Sequence, residues 1–565
     1  MPRVAIIRRS ARALAGAALL TLVLLAAIPA AASAGIYVDD DTGSDSGPCT
    51  RANPCATIER GVDAAVRGEK VFVDGGSYAP ATAITLSLGR GLVAEEFTGD
   101  RESSTEIDSG ADPAIRVDDA DGREIVQGFR LRSAGTTIET IGPVTISDDE
   151  FAIGGAVGST RAVFVTTNDP ITIEDSSFSG SGVATDEDGI VVDATDNPNT
   201  YSPELAIKGN DFDALRSAVR VDHSVMAMHV NRNRITGTHA GGAGGGIALH
   251  LGAGRGADLR RNTITGSSGG STAIVVYGGS YYSGVITRFN RIEGFATGLR
   301  AEDLFYDLYS YGDVFFDNGT AVVAQSDQYY GNRVSLDQDT LWGNHLDIEL
   351  ANSGLDLHQS ILEHPIAVSG QQAFCFIRFS RGPTTGGSGC ESFTTVADPG
   401  FVDGVGGDVH LTQDSAMVDA GGPQAWEPLG RRFDFEGDSR FADGDGDGKC
   451  QRDIGADEFA VGVKVDCVPP ETSFAGHSGR RFERRDKITL RFRGHDERPA
   501  SNPVRFQCQL DASRWRRCTS PQKFIFDRLG EHVFKVRAVD AAGNRDPSPA
   551  RRGIKIVPCR TQCAR

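Results

Sequence analysis

One short phrase returns through the middle of the chain and limits what it can fold into. It reads Asn210-Asp211-Phe212, Asn233-Arg234-Ile235-Thr236-Gly237, Asn262-Thr263-Ile264-Thr265-Gly266 and Asn290-Arg291-Ile292-Glu293-Gly294. Its apolar residue recurs after 23, 29 and 28 residues. Looser copies extend to Phe129, Phe151 and Phe178 upstream, and to Phe316, Leu341 and Ile361 downstream. Ten positions thus span 232 residues in nine steps, about 26 residues per step. A period of that length implies a solenoid, whose units stack because none can bury its own apolar face.

The segments between the phrases decide the kind of solenoid. Gly189-Ile190-Val191-Val192-Asp193, Ala273-Ile274-Val275-Val276-Tyr277 and Ala321-Val322-Val323-Ala324 are short, β-branched and bounded by turn-forming residues. No window holds a 3.6-residue apolar period long enough for paired helices. Coils of two or three short strands follow, and the fold class is all-β: a right-handed parallel β-helix. With strands about 4.8 Å apart, ten to thirteen coils make a rod roughly 50–60 Å long. Asn suits a tight corner because it tolerates left-handed backbone, and stacked amides can bond along the rod as a ladder. The Ile or Phe of the phrase points inward onto its equivalent in the next coil. On these residues, 35–395 resembles the pectate-lyase-like family of right-handed parallel β-helix proteins.

Residues 1–34 carry Arg3, Arg8, Arg9 and Arg12, an apolar run from Ala13 to Ile28, and Ala32-Ser33-Ala34. They read as a secretory signal peptide with an A-x-A site, so the expected location is secreted or at the cell surface. Ten cysteines in an exported chain imply disulfides, in sequence-local pairs: Cys49/Cys55, Cys375/Cys390, Cys450/Cys467, Cys508/Cys518 and Cys559/Cys563. Residues 36–78 read strand, loop, helix, strand. Thr57 opens a helix with Ile58, Val62 and Ala65 on one face, Gly68 ends it, and Val71-Phe72-Val73 begins the first coil. A helix over the open end would cover the core and the unpaired strand edge. Ile36-Tyr37-Val38-Asp39-Asp40-Asp41, with the paired cysteines, resembles the N-terminal cap of secreted bacterial β-helix proteins. Asp39 to Asp41 form either a solvated acidic turn or a calcium site.

The pattern changes at Asp398. Segment 396–467 contains Asp398-Pro399-Gly400-Phe401-Val402-Asp403, Ser415 to Gly421 and Asp453-Ile454-Gly455-Ala456-Asp457-Glu458-Phe459. These resemble the choice-of-anchor Q domain that closes many secreted β-helices. Residues 468–557 alternate in short strands after Pro469-Pro470, as a small β-sandwich does. Ala538 to Pro547, with Cys508, Trp515 and Cys518, resembles bacterial immunoglobulin-like domains; 558–565 is a cysteine-containing tail. Charge divides between the parts. Residues 468–565 hold 22 Lys/Arg against 10 Asp/Glu, while the formal net charge of the whole chain is −19, which leaves about −35 on 35–467. So acidic a rod excludes nucleic acid as a partner, because phosphates need basic neutralisation.

Two stretches could carry chemistry. Asp443-Gly444-Asp445-Gly446-Asp447-Gly448 places carboxylates at alternate positions with glycines between them, which suits calcium. It matches the first half of an EF-hand loop only, so any closing ligand of a structural site must come from Asp453, Asp457 or Glu458, with Asp453 taken as the candidate. The second stretch is rich in aromatics and carboxylates. Tyr277, Phe305 and Tyr329 each fall thirteen residues after a repeated apolar position, as a stack in successive coils would. Tyr277, Tyr281, Tyr306 and Tyr330, with Asp303 and Asp327, are the candidate ligand-binding residues, because aromatic faces beside carboxylates suit sugar rings. Asp186, Asp188 and Asp193, or Asp303 and Asp327, with His223 and His250 as bases, are catalytic candidates only on paper, since variable loop lengths leave none placed across a cleft. The reading is therefore an exported β-helix protein that binds carbohydrate or surface polymers. Alternatives are a polysaccharide lyase or glycoside hydrolase with a groove along the rod, and a purely structural or adhesive protein.

Overall fold

The computed structural model describes residues 35–558 except 97–103, 111, 119–121, 134, 155–159, 183–186, 195–203, 224–226, 239–245, 253–255, 267–269, 278–283, 305–306, 328–332, 371–372, 384–389, 391–392, 423–432, 441, 448, 460–468, 477–480, 497–503 and 542. The signal segment, Cys467, Cys559, Cys563, Tyr281, Tyr306 and Tyr330 therefore lie outside the described residues.

Each coil contributes one strand to each of three parallel sheets, as Glu204–Lys208, Asp211–Asp213 and Ser217–His223 do in turn. Sheet one has 14 strands, from Ile36–Val38 to Phe374–Arg378. Sheet two has 12, from Gly76–Tyr78 to Ile361–Leu362, and sheet three has 12, from Ile84–Leu86 to Ala367–Ser369. The chain is a parallel β-helix. Its core is a set of columns running the length of the rod.

The repeated phrase forms the sheet-two column. Leu131, Phe151, Phe178, Phe212, Ile235, Ile264, Ile292, Phe315, Leu341 and Leu362 stand in register. Each is essentially inaccessible to water, and burying a side chain of this size contributes roughly 1.5–3 kcal/mol. The rings of Phe151, Phe178 and Phe212 stack at 4.6 Å between centroids. Space for them comes from small residues in sheet three: a Cβ at Gly189 would lie 3.1 Å from the Phe212 ring, and one at Gly298 would lie 3.0 Å from Phe315. Three outer members of the sequence repeat need correction. Leu131, Phe315 and Leu362 occupy the column, not Phe129, Phe316 and Ile361. A shift of one residue turns a strand side chain to the other face, so Phe316 and Ile361 face outward and cover a later segment.

The asparagines form the expected ladder. Nδ2 of Asn210, Asn233 and Asn262 donates to Oδ1 of the next asparagine at 3.1, 3.0 and 2.9 Å. Each also donates to a sheet-one carbonyl, of Ile173, Ile207 and Val230. The column runs on through Asp149 and Ser176 on one side, and through Asp313, Asp339, Ser360 and Ser380 on the other. The left-handed corner, however, belongs to the residue before the asparagine: Gly209, Arg232, Arg261 and Phe289 have φ of 70°, 56°, 56° and 56°. That residue turns the chain so that the next side chain enters the interior.

At the N-terminal end the helix spans Ile58–Ala64, with Thr57 as N-cap accepting from Arg60 N, and it buries Ile58, Gly61 and Val62. The helix is capped at Ala65, three residues before Gly68. Sheet one begins with Ile36–Val38, paired to Lys70–Val73, in the strand, loop, helix, strand order read from the sequence, so the sheet starts one strand before Val71-Phe72-Val73. Asp39 accepts from Asp41 N and Thr42 N at 2.9 and 3.2 Å, which closes its own turn.

After the last coil the chain folds back along the outside of the rod. Residues 396–459 lie over the corner between sheets one and two: Arg291 donates to Gly407 O, Thr340 Oγ1 accepts from Ala456 N, and Gly455 N donates to Gln359 O. Leu411, Met417 and Ile454 cover Ile361, and Trp342 meets Phe401 edge-on. The centre of this segment is Arg440, wholly buried, whose guanidinium donates to the carbonyls of Gly455, Ala456 and Asp457 and lies 3.7 Å from Glu458.

Downstream, a five-stranded sheet (Arg481–Glu483, Arg505–Leu510, Arg516–Cys518, Gly530–Val539, Ala550–Val557) and two two-stranded sheets enclose a second core. Phe492, Phe526, Phe534, Val536, Ile554 and Ile556 fill it. Cys49–Cys55, Cys375–Cys390 and Cys508–Cys518 are bonded, and Cys450 is also in a disulfide. No helix among the described residues is long and apolar enough to cross a membrane.

Candidate functional site

The outer face of sheet one, toward the end of the rod, carries a concavity of about 420 Å³. Arg333, Ser335, Asp337, Asp356, His358, Phe376 and Arg378 line it. Strand alternation explains the composition. Val334, Leu336, Leu355 and Leu357 point into the core, so their neighbours must face out. Two outward columns result: Tyr309, Ser335, Asp356 and Phe376 in one, and Tyr311, Asp337, His358 and Arg378 in the other.

In the second column, His358 Nδ1 lies 3.2 Å from Asp337 Oδ1, and its ring meets Phe379 edge-on. Gln359 Nε2 lies 3.1 Å from the same nitrogen, so Nδ1 either donates to Asp337 or accepts from Gln359, and Nε2 takes part in proton transfer as a base only in the first case. Arg333 Nε donates to Asp356 Oδ2 at 3.0 Å, and this hydrogen bond raises the guanidinium above its ordinary pKa. Of three exposed rings on this face, Phe376 (43% exposed) lines the concavity, while Tyr309 (39%) stands next to Ser335 in register and Phe374 (40%) next to Gly354. Tyr309 and Phe376 are three coils apart, about 14 Å. The fold-back segment braces one rim, since Gly422 seats against the Phe379 ring, where a Cβ would lie 2.8 Å from it.

Those residues singled out in the sequence that are described fall elsewhere. Tyr277 faces outward on sheet three and stacks on His250 at 4.9 Å. Gly252 makes room for it, because a Cβ there would lie 3.1 Å from the Tyr277 hydroxyl. Burial and Arg220 hold the His250 imidazole below its ordinary value, against the pull of Asp222, Glu302 and Asp188. In register, Tyr277 is followed by Glu302 and Gln325, while Phe305 and Tyr329 of the expected column lie outside the described residues. Asp303 serves a corner: its φ is 49° and its Oδ1 accepts from Asp327 N and Ser326 Oγ. Asp327 is exposed. Asp188 is buried and pairs with Arg216 and Arg220. The Asp337–His358 pair was not singled out, although strict alternation within Arg333–Asp337 and Gly354–His358 was the signal that could have found it.

In the acidic loop, oxygens of Asp419, Asp443 and Asp445 lie within 4.8 Å of one another. Asp445 N donates to Asp419 Oδ2 at 2.8 Å, and burial, reinforced by Asp445 and Asp443, raises the Asp419 pKa. Asp447 instead turns outward to Lys449. Asp453 is buried with both oxygens accepting backbone N–H groups, from Asp419 and Phe459, and burial pushes its pKa up to about 7.

No family model and no curated protein matches the chain. Solved structures similar to it include the following two. One is described as a complex of XylC with xylose: TM-score 0.26, 10% identity, 62% of this chain and 75% of that one covered. The other is a rhamnogalacturonan lyase: TM-score 0.21, 12% identity, 64% and 85% covered.

Proposed function

We propose that the chain is an exported carbohydrate-binding protein whose site is the concavity on the outer face of sheet one. The observation that carries this reading is the pairing of exposed rings, Tyr309 and Phe376, with a polar floor of Ser335, Asp337, Asp356 and His358 between them. Rings present flat apolar faces to the C–H faces of sugars, and carboxylate and imidazole groups match hydroxyl edges. Sugar units are about as long as the strand spacing of roughly 4.8 Å, so the floor suits two or three units of a glycan lying along the rod. The disulfides support export, since such bonds persist in oxidising compartments. A structural calcium ion at Asp419, Asp443 and Asp445 belongs to the same reading.

A second reading is catalysis, favoured by the Asp337–His358 pair, which has the geometry of an oriented base. One panel of polysaccharides separates the two. Binding is followed by calorimetry, and turnover by reducing ends and unsaturated-product absorbance. Tyr309→Ala with Phe376→Ala should weaken binding about tenfold or more, as loss of two ring contacts does, with an unchanged melting temperature. Undiminished binding by this double variant rejects the site. Turnover that His358→Ala abolishes while binding persists makes the protein an enzyme.

A further inference from the structure

The rod is acidic and the C-terminal sandwich is basic, and the basic charge is not spread evenly over that sandwich. In its five-stranded sheet, Phe534, Val536, Ala538, Ile554 and Ile556 point into the core. Their neighbours therefore form the opposite, solvent face. Lys535 stands directly opposite Arg551, and Gln509 stands opposite Lys535 on the other side. Arg537 stands opposite Gln507, which in turn pairs with Arg517. Arg505 lies one step along the same strand. Like charges directly opposite one another destabilise a β-pair. Among the described residues none of these five cations makes an ion pair; the one such contact on the face, Lys555 with Glu531, is at its edge.

The face also has built features. Arg537 Nε donates to Gln507 Oε1 at 2.9 Å, and its guanidinium lies 4.4 Å over the Trp515 ring. These contacts hold the guanidinium flat against the sheet. Cations two residues apart along a strand are about 7 Å apart, and cross-strand neighbours about 5 Å. That is the scale on which charge repeats along a chain of phosphodiesters or uronic acids. The amide of Gln507 and the indole add groups suited to hydroxyls and sugar faces.

We propose that this sheet face is a docking surface for an anionic glycan polymer, carrying carboxylate or phosphodiester groups, and that it holds the protein on such a polymer while the rod stays free. The surface is separate from the concavity on sheet one and does not depend on its function. A glycan is favoured over the acidic rod of another copy because the Gln507 amide and the Trp515 indole stand beside the cations and suit hydroxyls and sugar faces.

The test uses the full chain with four probes: polygalacturonate, poly(glycerol phosphate), neutral dextran and a short DNA duplex. Binding to one or both anionic glycans, but not to dextran, is expected. The probe that binds says whether carboxylate or phosphodiester is the preferred anion. The variant Arg517→Gln/Lys535→Gln/Arg551→Gln should bind about tenfold more weakly or worse, with a lower salt slope by roughly one unit per lost contact. Its melting temperature should not fall, and Arg551→Lys alone should keep most of the affinity. A control of equal charge loss elsewhere on the domain, Arg491→Gln/Lys523→Gln/Arg528→Gln, should bind as the parent does. Unchanged binding by the first variant, or equal weakening by the control, overturns the assignment. So does DNA binding of equal strength, or salt-sensitive self-association without polymer binding.

Discussion

The inner ladder of the rod and the fold-back segment meet the same demand in opposite ways. Both must satisfy backbone polar groups out of reach of water. The ladder repeats one cheap unit, an amide that donates to a carbonyl and to the next amide, coil after coil. The fold-back segment concentrates the task on Arg440, whose single guanidinium binds three consecutive carbonyls beside a buried Glu458. A ladder fails gradually, because each rung depends on its neighbours alone. A hub fails at once. The difference matters for function, since the segment held by the hub braces Gln359 and Phe379 at the rim of the proposed site.

Breaking the hub should give the largest effect. Arg440→Leu strands a buried carboxylate and three carbonyls, at a cost of about 3–5 kcal/mol. The loss should stay local: in hydrogen exchange the amides of Leu411 and Ile454 lose protection, while those of Asn233 and Asn262 keep theirs. Joint loss of protection would show that ladder and hub form one cooperative unit.

The comparison sharpens where the ladder itself departs from amides. At Asp313 and Asp339 carboxylates take the place of asparagine in adjacent coils. Burial raises the Asp313 pKa to about 6 and Asp339 well above its ordinary value. A carboxyl group whose folded pKa lies above the unfolded one stabilises the fold fully below the unfolded value, near 4. That contribution is lost as pH rises through about 6. Asp313→Asn should therefore stabilise the protein at pH 7.5 by about 2–3 kcal/mol, from a shift of roughly two units, and change little at pH 4. The mirror substitution Asn262→Asp should do the reverse. Melting curves at the two pH values decide it; a gain at pH 4 equal to that at pH 7.5 would rule out ionisation as the cause.

How legible each region was follows from the same contrast. The ladder and the apolar column could be read from Asn210 to Asn290 because a stacked unit returns at every coil. The reading slipped at Phe129, Phe316 and Ile361, where the copies are loose and one or two residues change the face or the rung. Of the aromatic column only Tyr277 is described, at the end of a sheet-three strand and stacked on His250. The concavity rests on alternation within two strands of sheet one, which the sequence displays, and on the pairing of those strands, which it does not. Arg440 could not be read at all: its partners are backbone carbonyls, and they leave no residue-type signature at Gly455, Ala456 or Asp457.

The acidic loop gives the smallest expected effect and asks whether the fold-back segment has a second brace. Asp443 and Asp445 approach Asp419, which the loop pattern alone does not reveal because it lies 24 residues upstream of Asp443. The Asp445 backbone is already tied to Asp419, so an ion there would join the loop to the turn that carries Asp419. An ion that binds only the folded form stabilises it by about 1.4 kcal/mol at a tenfold excess over its dissociation constant. Calcium should raise the melting temperature of the segment, and chelator should lower it. Asp445→Ala and Asp419→Asn should each remove most of the difference, whereas Asp447→Ala should leave it intact, because Asp447 faces Lys449 instead. Equal melts with calcium and with chelator would leave Arg440 as the hub without help. Loss of the difference in Asp447→Ala would restore the linear loop, rather than the Asp419 triangle, as the binding geometry.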